Sequence, residues 1–362
     1  MSFLFRLFFH DRTANALVWW LKLPDNARFS SQSSSRMTLA TATQPEEARD
    51  KAGLSHSGSR RSGPDTAFHL LVAASALLVL VVLGGLVVLM GVGGSQAFRT
   101  FGLGFAFHDV WNPVADQYGA WAPLFGTIVS TLIGVAIALP LAFGTAFWLT
   151  AMAPPRIAAI VGTAVQLLAA VPSIIFGMWG FFTIVPFMAR TVQPFLTHHF
   201  RHVPGIRFII HGAPFGTGLM TAGLVLAVMI APFMTAVMRD VFAAMPAMLR
   251  ESAYGLGATR WDVMWKVVVP WSRTGMIGAI VLGMGRALGE TMAVTFVIGN
   301  VTAVGWSLFA PRSTVASLIA LQFPESPAGS LRLSALLALG FILMLLSFAS
   351  LALARMLRGD TK

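Results

Sequence analysis

An all-α membrane protein of six spans is the fold class the sequence predicts, and three observations carry that prediction. Of 362 residues, 56% are hydrophobic and only 11% are charged, whereas a soluble domain carries roughly a quarter charged residues. So few charges cannot cover a water-exposed surface of this size, and the mean hydropathy of +0.75 agrees. Six segments reach the ~20 mostly apolar residues that a spanning helix needs. Composition excludes a disordered or collagen-like chain. The absence of cysteine excludes a disulfide scaffold, an iron–sulfur site and a thiol nucleophile.

Residues 1–66 stand apart, rich in Ser and charge and ending in Gly63-Pro64, and they read as a disordered cytoplasmic tail. Met1–Pro24 is apolar but interrupted by Arg6, His10, Asp11 and Arg12, so it lacks the unbroken core of a signal peptide, and Met37 is favoured as the true initiator. The permease-like body then covers 67–358. Its six expected spans are Phe68–Val92, Leu124–Met152, Ile157–Met188, Gly216–Met238, Thr274–Ile298 and Leu333–Ala354. Pro140 predicts a kink in the second. The third is too long for one simple helix and contains Pro172 and Pro186, which predicts a helix, a break and a re-entrant or second helical piece.

With the N-terminus inside, Lys and Arg number 18 inside and 6 outside, or 9 and 6 without the tail. The net charge of +11 therefore reads as the positive-inside bias of a membrane protein, with both termini cytoplasmic, rather than as a nucleic-acid surface.

Catalytic signatures are absent. No lysine follows a glycine, so there is no phosphate-cradling G-x-x-x-x-G-K-[ST] loop, and no H-E-x-x-H occurs. His198, His199, His202 and His211 lie in an outer loop, 189–215, without a neighbouring Cys or acid to complete a metal shell. No cofactor and no metal are expected.

Two features carry chemistry. Arg286 and Glu290 fall near the centre of the fifth expected span, where one charge costs at least about 2.5–3.5 kcal/mol. Their i,i+4 spacing puts them on one helical face, with Gly283, Gly285 and Gly289 thinning the surroundings. They read either as a self-neutralising structural pair or as a polar point on a translocation path, where an arginine fork suits an oxyanion. The loop between the fourth and fifth spans, 239–272, is charged and amphipathic; Pro246 suits a helix start and Gly255 or Gly257 a helix stop.

Within that loop Glu251, Ala253, Gly257, Val267 and Pro270 resemble the E-A-A loop of ABC-importer permeases, with Ser252 replacing the first Ala and Val267 and Val269 standing for Ile and Leu. Asp109-Val110-Trp111-Asn112-Pro113, Tyr118-Gly119, Gly126-Thr127, Leu168–Gly180 and Arg286–Thr295 extend the resemblance to about Phe101–Asn300. Together they are similar to the PstC family, one of the two permease families of the bacterial phosphate ABC importer.

The resemblance implies a type I (MetI-like) importer permease in the bacterial inner membrane, not itself an enzyme. Its implied partners are a homologous second permease (PstA-like), two ATPase subunits (PstB-like), an extracytoplasmic phosphate-binding protein (PstS-like) and the lipid bilayer. The helix around Glu251, Ala253, Gly257 and Pro270 would dock on an ATPase. Phosphate would pass a midplane point to which Arg286 contributes, with Glu290 limiting its grip. Pro172 and Ser173, at the broken third helix, would offer backbone N–H groups to the anion. A permease for another oxyanion, an ATP-independent carrier and a membrane-embedded enzyme are the alternatives.

Overall fold

The computed structural model describes residues 63–357 except 201 and 204. Met1–Phe68 separates from His69–Lys362, and nearly all of the first unit, including the proposed start at Met37, lies outside the described residues. Helix begins at Gly63, so residues 63–66 are helical rather than part of an irregular tail.

Among the described residues, six helices are long and apolar enough to cross a membrane: α1 Ala67–Phe101, α2 Trp121–Met152, α4 Ser173–Phe200, α5 Leu219–Ala243, α7 Arg260–Leu288 and α10 Leu331–Leu353. Between them lie α3 Pro155–Ala169, α6 Ala247–Gly255, α8 Met292–Val297 and α9 Val315–Gln322. The long third apolar segment is broken at Pro172, whereas Pro186 lies inside a continuous helical span. The spanning piece follows the break: α3 ends at Ala169, Pro172 supplies an extended residue, and α4 starts at Ser173.

The fifth span departs from expectation. It begins at Arg260 instead of Thr274 and ends at Leu288 instead of Ile298. Its first turns are charged but helical, with the Thr259 hydroxyl accepting the Asp262 N–H and Lys266 pairing with Asp262 at 2.7 Å. Its end is set by Gly289, after which the chain turns and starts α8.

Helix α5 is the mast of the assembly and packs most extensively on α2. The contact uses small residues: Ala138, Ala142 and Ala146 are wholly buried at four-residue spacing, and a Cβ on Gly134 would lie 3.0 Å from Leu226. In lipid, such close approach of backbones replaces the hydrophobic drive as the source of helix association. Met229, Ile230, Met234 and Met238 fill the core on the other sides of α5.

A second cluster joins the end of α1 to α10. Here Ser334 donates to the Gly93 carbonyl (2.8 Å) and accepts the Ala97 N–H (3.0 Å), while Trp111 donates to Gln322 at 2.9 Å. Most of α1 is exposed apolar surface, as a lipid-facing helix is.

Candidate functional site: a helix break beside a half-buried arginine

The sequence around Arg286 folds into a joint. Gly289 N–H reaches back to the Gly285 carbonyl and Glu290 N–H to the Ala287 carbonyl, both at 3.3 Å, and α7 stops. The Glu290 carboxylate then accepts the Ala293 N–H at 3.2 Å, satisfying one of the free donors at the start of α8. Arg286 and Glu290 therefore do not share one helical face: the break separates them, and no ion pair joins them. Among the described residues the ion pairs are Arg239–Asp240, Asp262–Lys266 and Arg332–Glu325. The self-neutralising pair is not formed.

Arg286 is half-buried. Its guanidinium lies 5.7 Å from the Phe233 ring centroid, a cation–π contact with α5. Its Nε is buried without a hydrogen-bond partner. Gly283, one turn earlier, admits Met234; a Cβ there would fall 2.7 Å from the Met234 sulfur.

Helix α8 lies against α4. A Cβ on Gly177 would sit 2.8 Å from the Ala293 Cα, and one on Gly180 would sit 3.3 Å from Val297. The two contacts advance together along both chains, so the helices run parallel. Counting four residues back from each side of the Gly177–Ala293 contact gives Ser173 and Gly289. The break at Pro172-Ser173 thus stands at about the level of the break at Gly289-Glu290-Thr291. The structure brings these two discontinuities side by side, while no hydrogen bond or ion pair links Arg286 to Pro172 or Ser173.

At the other end of α7, α6 follows Pro246 and ends at Gly255, as the sequence predicts. Gly257 has φ +84°, a left-handed backbone that suits glycine. Glu251 and Pro270 are exposed, and Ala253 packs against the core. A cavity of about 290 Å³ opens between α6 and the ends of α2, α5 and α7, lined by Thr150, Phe242, Arg250, Glu251, Tyr254 and Arg260 among others.

An aromatic clamp that sequence reasoning missed seats this region. Trp261 lies 5.6 Å from Phe147, Trp265 lies 5.6 Å from Phe143, and the two indoles are 5.7 Å apart. The signal was present as two Trp at i,i+4 facing two Phe at i,i+4.

Six spans, a polar break inside the bundle and a short helix between the fourth and fifth spans define a membrane transport subunit. The sequence family described as binding-protein-dependent transport system inner membrane component matches residues 138–361, and the chain belongs to it. It is a multi-pass inner-membrane protein.

The chain is 47% identical over 291 residues to the phosphate transport system permease protein PstC of Mesorhizobium japonicum, covering 80% of this chain and 89% of that protein. The protein of the same name from Pasteurella multocida is 50% identical over 282 residues, covering 78% and 88%. Among solved structures, the bacterial alginate ABC transporter in complex with an alginate-bound periplasmic protein shares the fold: TM-score 0.54, 14% identity, 82% of this chain and 96% of that one.

Proposed function

We propose that the chain is the permease subunit of an ATP-driven phosphate importer, forming the translocation path with a homologous second permease (PstA-like). Two ATPase chains (PstB-like) on the cytoplasmic face would supply the power, and an extracytoplasmic binding protein (PstS-like) would deliver phosphate. Both termini are then cytoplasmic, which places α6 on the ATPase side. The strongest support is the relationship to phosphate permeases at close to half identity over about four fifths of the chain. The observation that gives it chemistry is the unpaired guanidinium of Arg286 beside a helix break.

In this mechanism Arg286 is a free fork of donors for an anion's oxygens. Glu290 is engaged in starting α8, and its negative charge at the same break keeps the site from holding an anion too tightly. Pro172 and Ser173, at the adjoining break, border the same passage. ATP-driven closure of the ATPases moves the Glu251–Gly257 helix; Ala253 ties that movement to the core, and Pro270 marks the exposed stretch of α7 that follows.

The test is reconstitution of the complete complex in liposomes, with labelled phosphate outside. ATP-dependent uptake that excess phosphate suppresses, and excess sulfate or molybdate does not, is the expected result. Uptake without nucleotide would indicate a secondary carrier, and equal suppression by sulfate would indicate a different oxyanion; either overturns the proposal.

A further inference from the structure

Three arginines among the described residues have a buried Nε with no hydrogen-bond partner: Arg286, Arg312 and Arg332. Arg332 has a carboxylate, Glu325, at 3.6 Å. That leaves Arg286 and Arg312 as the two guanidinium groups of this kind with no acid in contact.

Arg312 stands in the segment between α8 and α9, and only 8% of it is exposed. Its backbone is laddered onto the end of α8: its N–H donates to the Ile298 carbonyl at 3.0 Å, and its carbonyl accepts the Val301 N–H at 3.1 Å. The side chain makes one hydrogen bond, from Nη1 to the Pro311 carbonyl at 3.2 Å. The opposite edge of the guanidinium, Nε with Nη2, is therefore the unused one, and it is the edge that grips an oxyanion with two parallel N–H groups. Gly305 borders this edge, where any Cβ would collide with Nη2. Next to it in the chain, the Ser313 hydroxyl, which can donate, is buried and also unpartnered. Burial pushes the Arg312 pKa below the ordinary guanidinium value, as it does for a cation short of compensation.

The plain alternative is that Arg312 offsets the carbonyl end of α8. That role asks for a cation near the helix end. It does not ask for a desolvated fork whose bidentate edge is left unpaired, because every unpaired buried donor is costly.

Helix α8 has six residues, about 9 Å of rise, and the two unpaired guanidinium groups lie beyond its opposite ends. We propose that Arg312 is an outer contact point for the transported oxyanion, engaged before the anion reaches Arg286. The inference rests on the reading of the chain as an anion-importing permease.

The test uses the complete complex in liposomes with its outer face accessible. Arginine modification by phenylglyoxal is followed peptide by peptide by mass spectrometry, with inorganic phosphate, sulfate or chloride present at equal ionic strength. Phosphate should slow modification of Arg312 severalfold and chloride should not. Arg312→Gln should lower ATP-driven phosphate uptake about tenfold, the scale of one charge-assisted hydrogen bond, with all subunits still co-purifying. Arg312→Lys should recover part of the loss.

Equal modification with and without phosphate overturns the inference. So does unchanged uptake in both variants, and so does loss of assembly in both without phosphate protection, which would make Arg312 structural. A wild-type complex that takes up no phosphate overturns the phosphate reading instead, and the protection pattern still decides whether Arg312 contacts an anion.

Discussion

Arg286 and Glu290 are four residues apart, yet they answer to different neighbours. One faces the Phe233 ring and the other holds the first turn of α8. Because no carboxylate depends on Arg286, replacing it strands no opposite charge, and the usual penalty of breaking a buried pair does not arise. Arg286→Gln should therefore bring phosphate uptake to background while the complex still assembles, measured by transport and co-purification side by side. Glu290 separates along another line. Glu290→Gln keeps an acceptor for the Ala293 N–H, whereas Glu290→Ala loses it at a cost of about 1 kcal/mol. The Ala variant should show the lower thermal midpoint of the two.

A second residue-scale prediction concerns Tyr118, in the loop between α1 and α2. Burial, with Asp116 accepting its hydroxyl at 3.1 Å, pushes the phenol from 10.0 up to about 12. The folded protein thus keeps a proton that the unfolded chain releases, so Tyr118's contribution to stability is complete below pH 10 and disappears as the pH climbs to 12. Tyrosinate ultraviolet absorbance, compared with Tyr118→Phe, should show the Tyr118 step near the top of that window; a step at 10 would refute it.

At the scale of elements, the parallel contact of α4 and α8 depends on Gly177. A methyl there meets the Ala293 Cα and the Phe296 ring at under 3 Å, and one of these is backbone that cannot turn aside. Gly177→Ala should cost about 1–3 kcal/mol, read as a lowered thermal midpoint, and should misalign the two breaks. Gly257 is the contrasting case. Nothing surrounds its missing Cβ, but its φ of +84° penalises any side chain. Gly257→Val should leave membrane insertion normal and reduce ATP-driven uptake, measured with surface labelling as the control.

The bounds of α6 were legible because proline and glycine mark helix ends by their own backbone chemistry. The break at Pro172 was legible for the same reason. The break at Gly289–Thr291 was not: nothing local distinguishes Gly289 from Gly283 or Gly285, and what starts α8 is a carboxylate that periodicity places on the preceding helix. The early start of α7 was hidden too, because Arg260, Asp262 and Lys266 look like loop to a hydropathy reading. They form helix through a cap, an i,i+4 pair and the Trp261–Trp265 clamp.

At the scale of the molecule, six spans and their approximate order followed from composition and run length alone, since lipid admits few other ways to satisfy a backbone. Which helix became the central mast did not. Helix α5 is no more apolar than α10, and its burial comes from the small-residue seam on α2 and the methionines around it. Arg312 is one of the six cations that the charge count places outside, and its burial and unpaired fork emerge only from the folding of the 299–312 segment against α8.

The length of α7 has a mechanical meaning, even with the π-helical turn it carries at Met264–Val268. Its 29 residues make a rod about 43 Å long, with Arg260 and the 290 Å³ hollow at its foot and Arg286 close to its tip. A tilt imposed at the foot arrives at the guanidinium as a sideways swing, with no chain of intermediary side chains to carry it. The joint at Gly289–Thr291 lies just past the tip, where the two helices are separate elements and α8 keeps its own seat on α4.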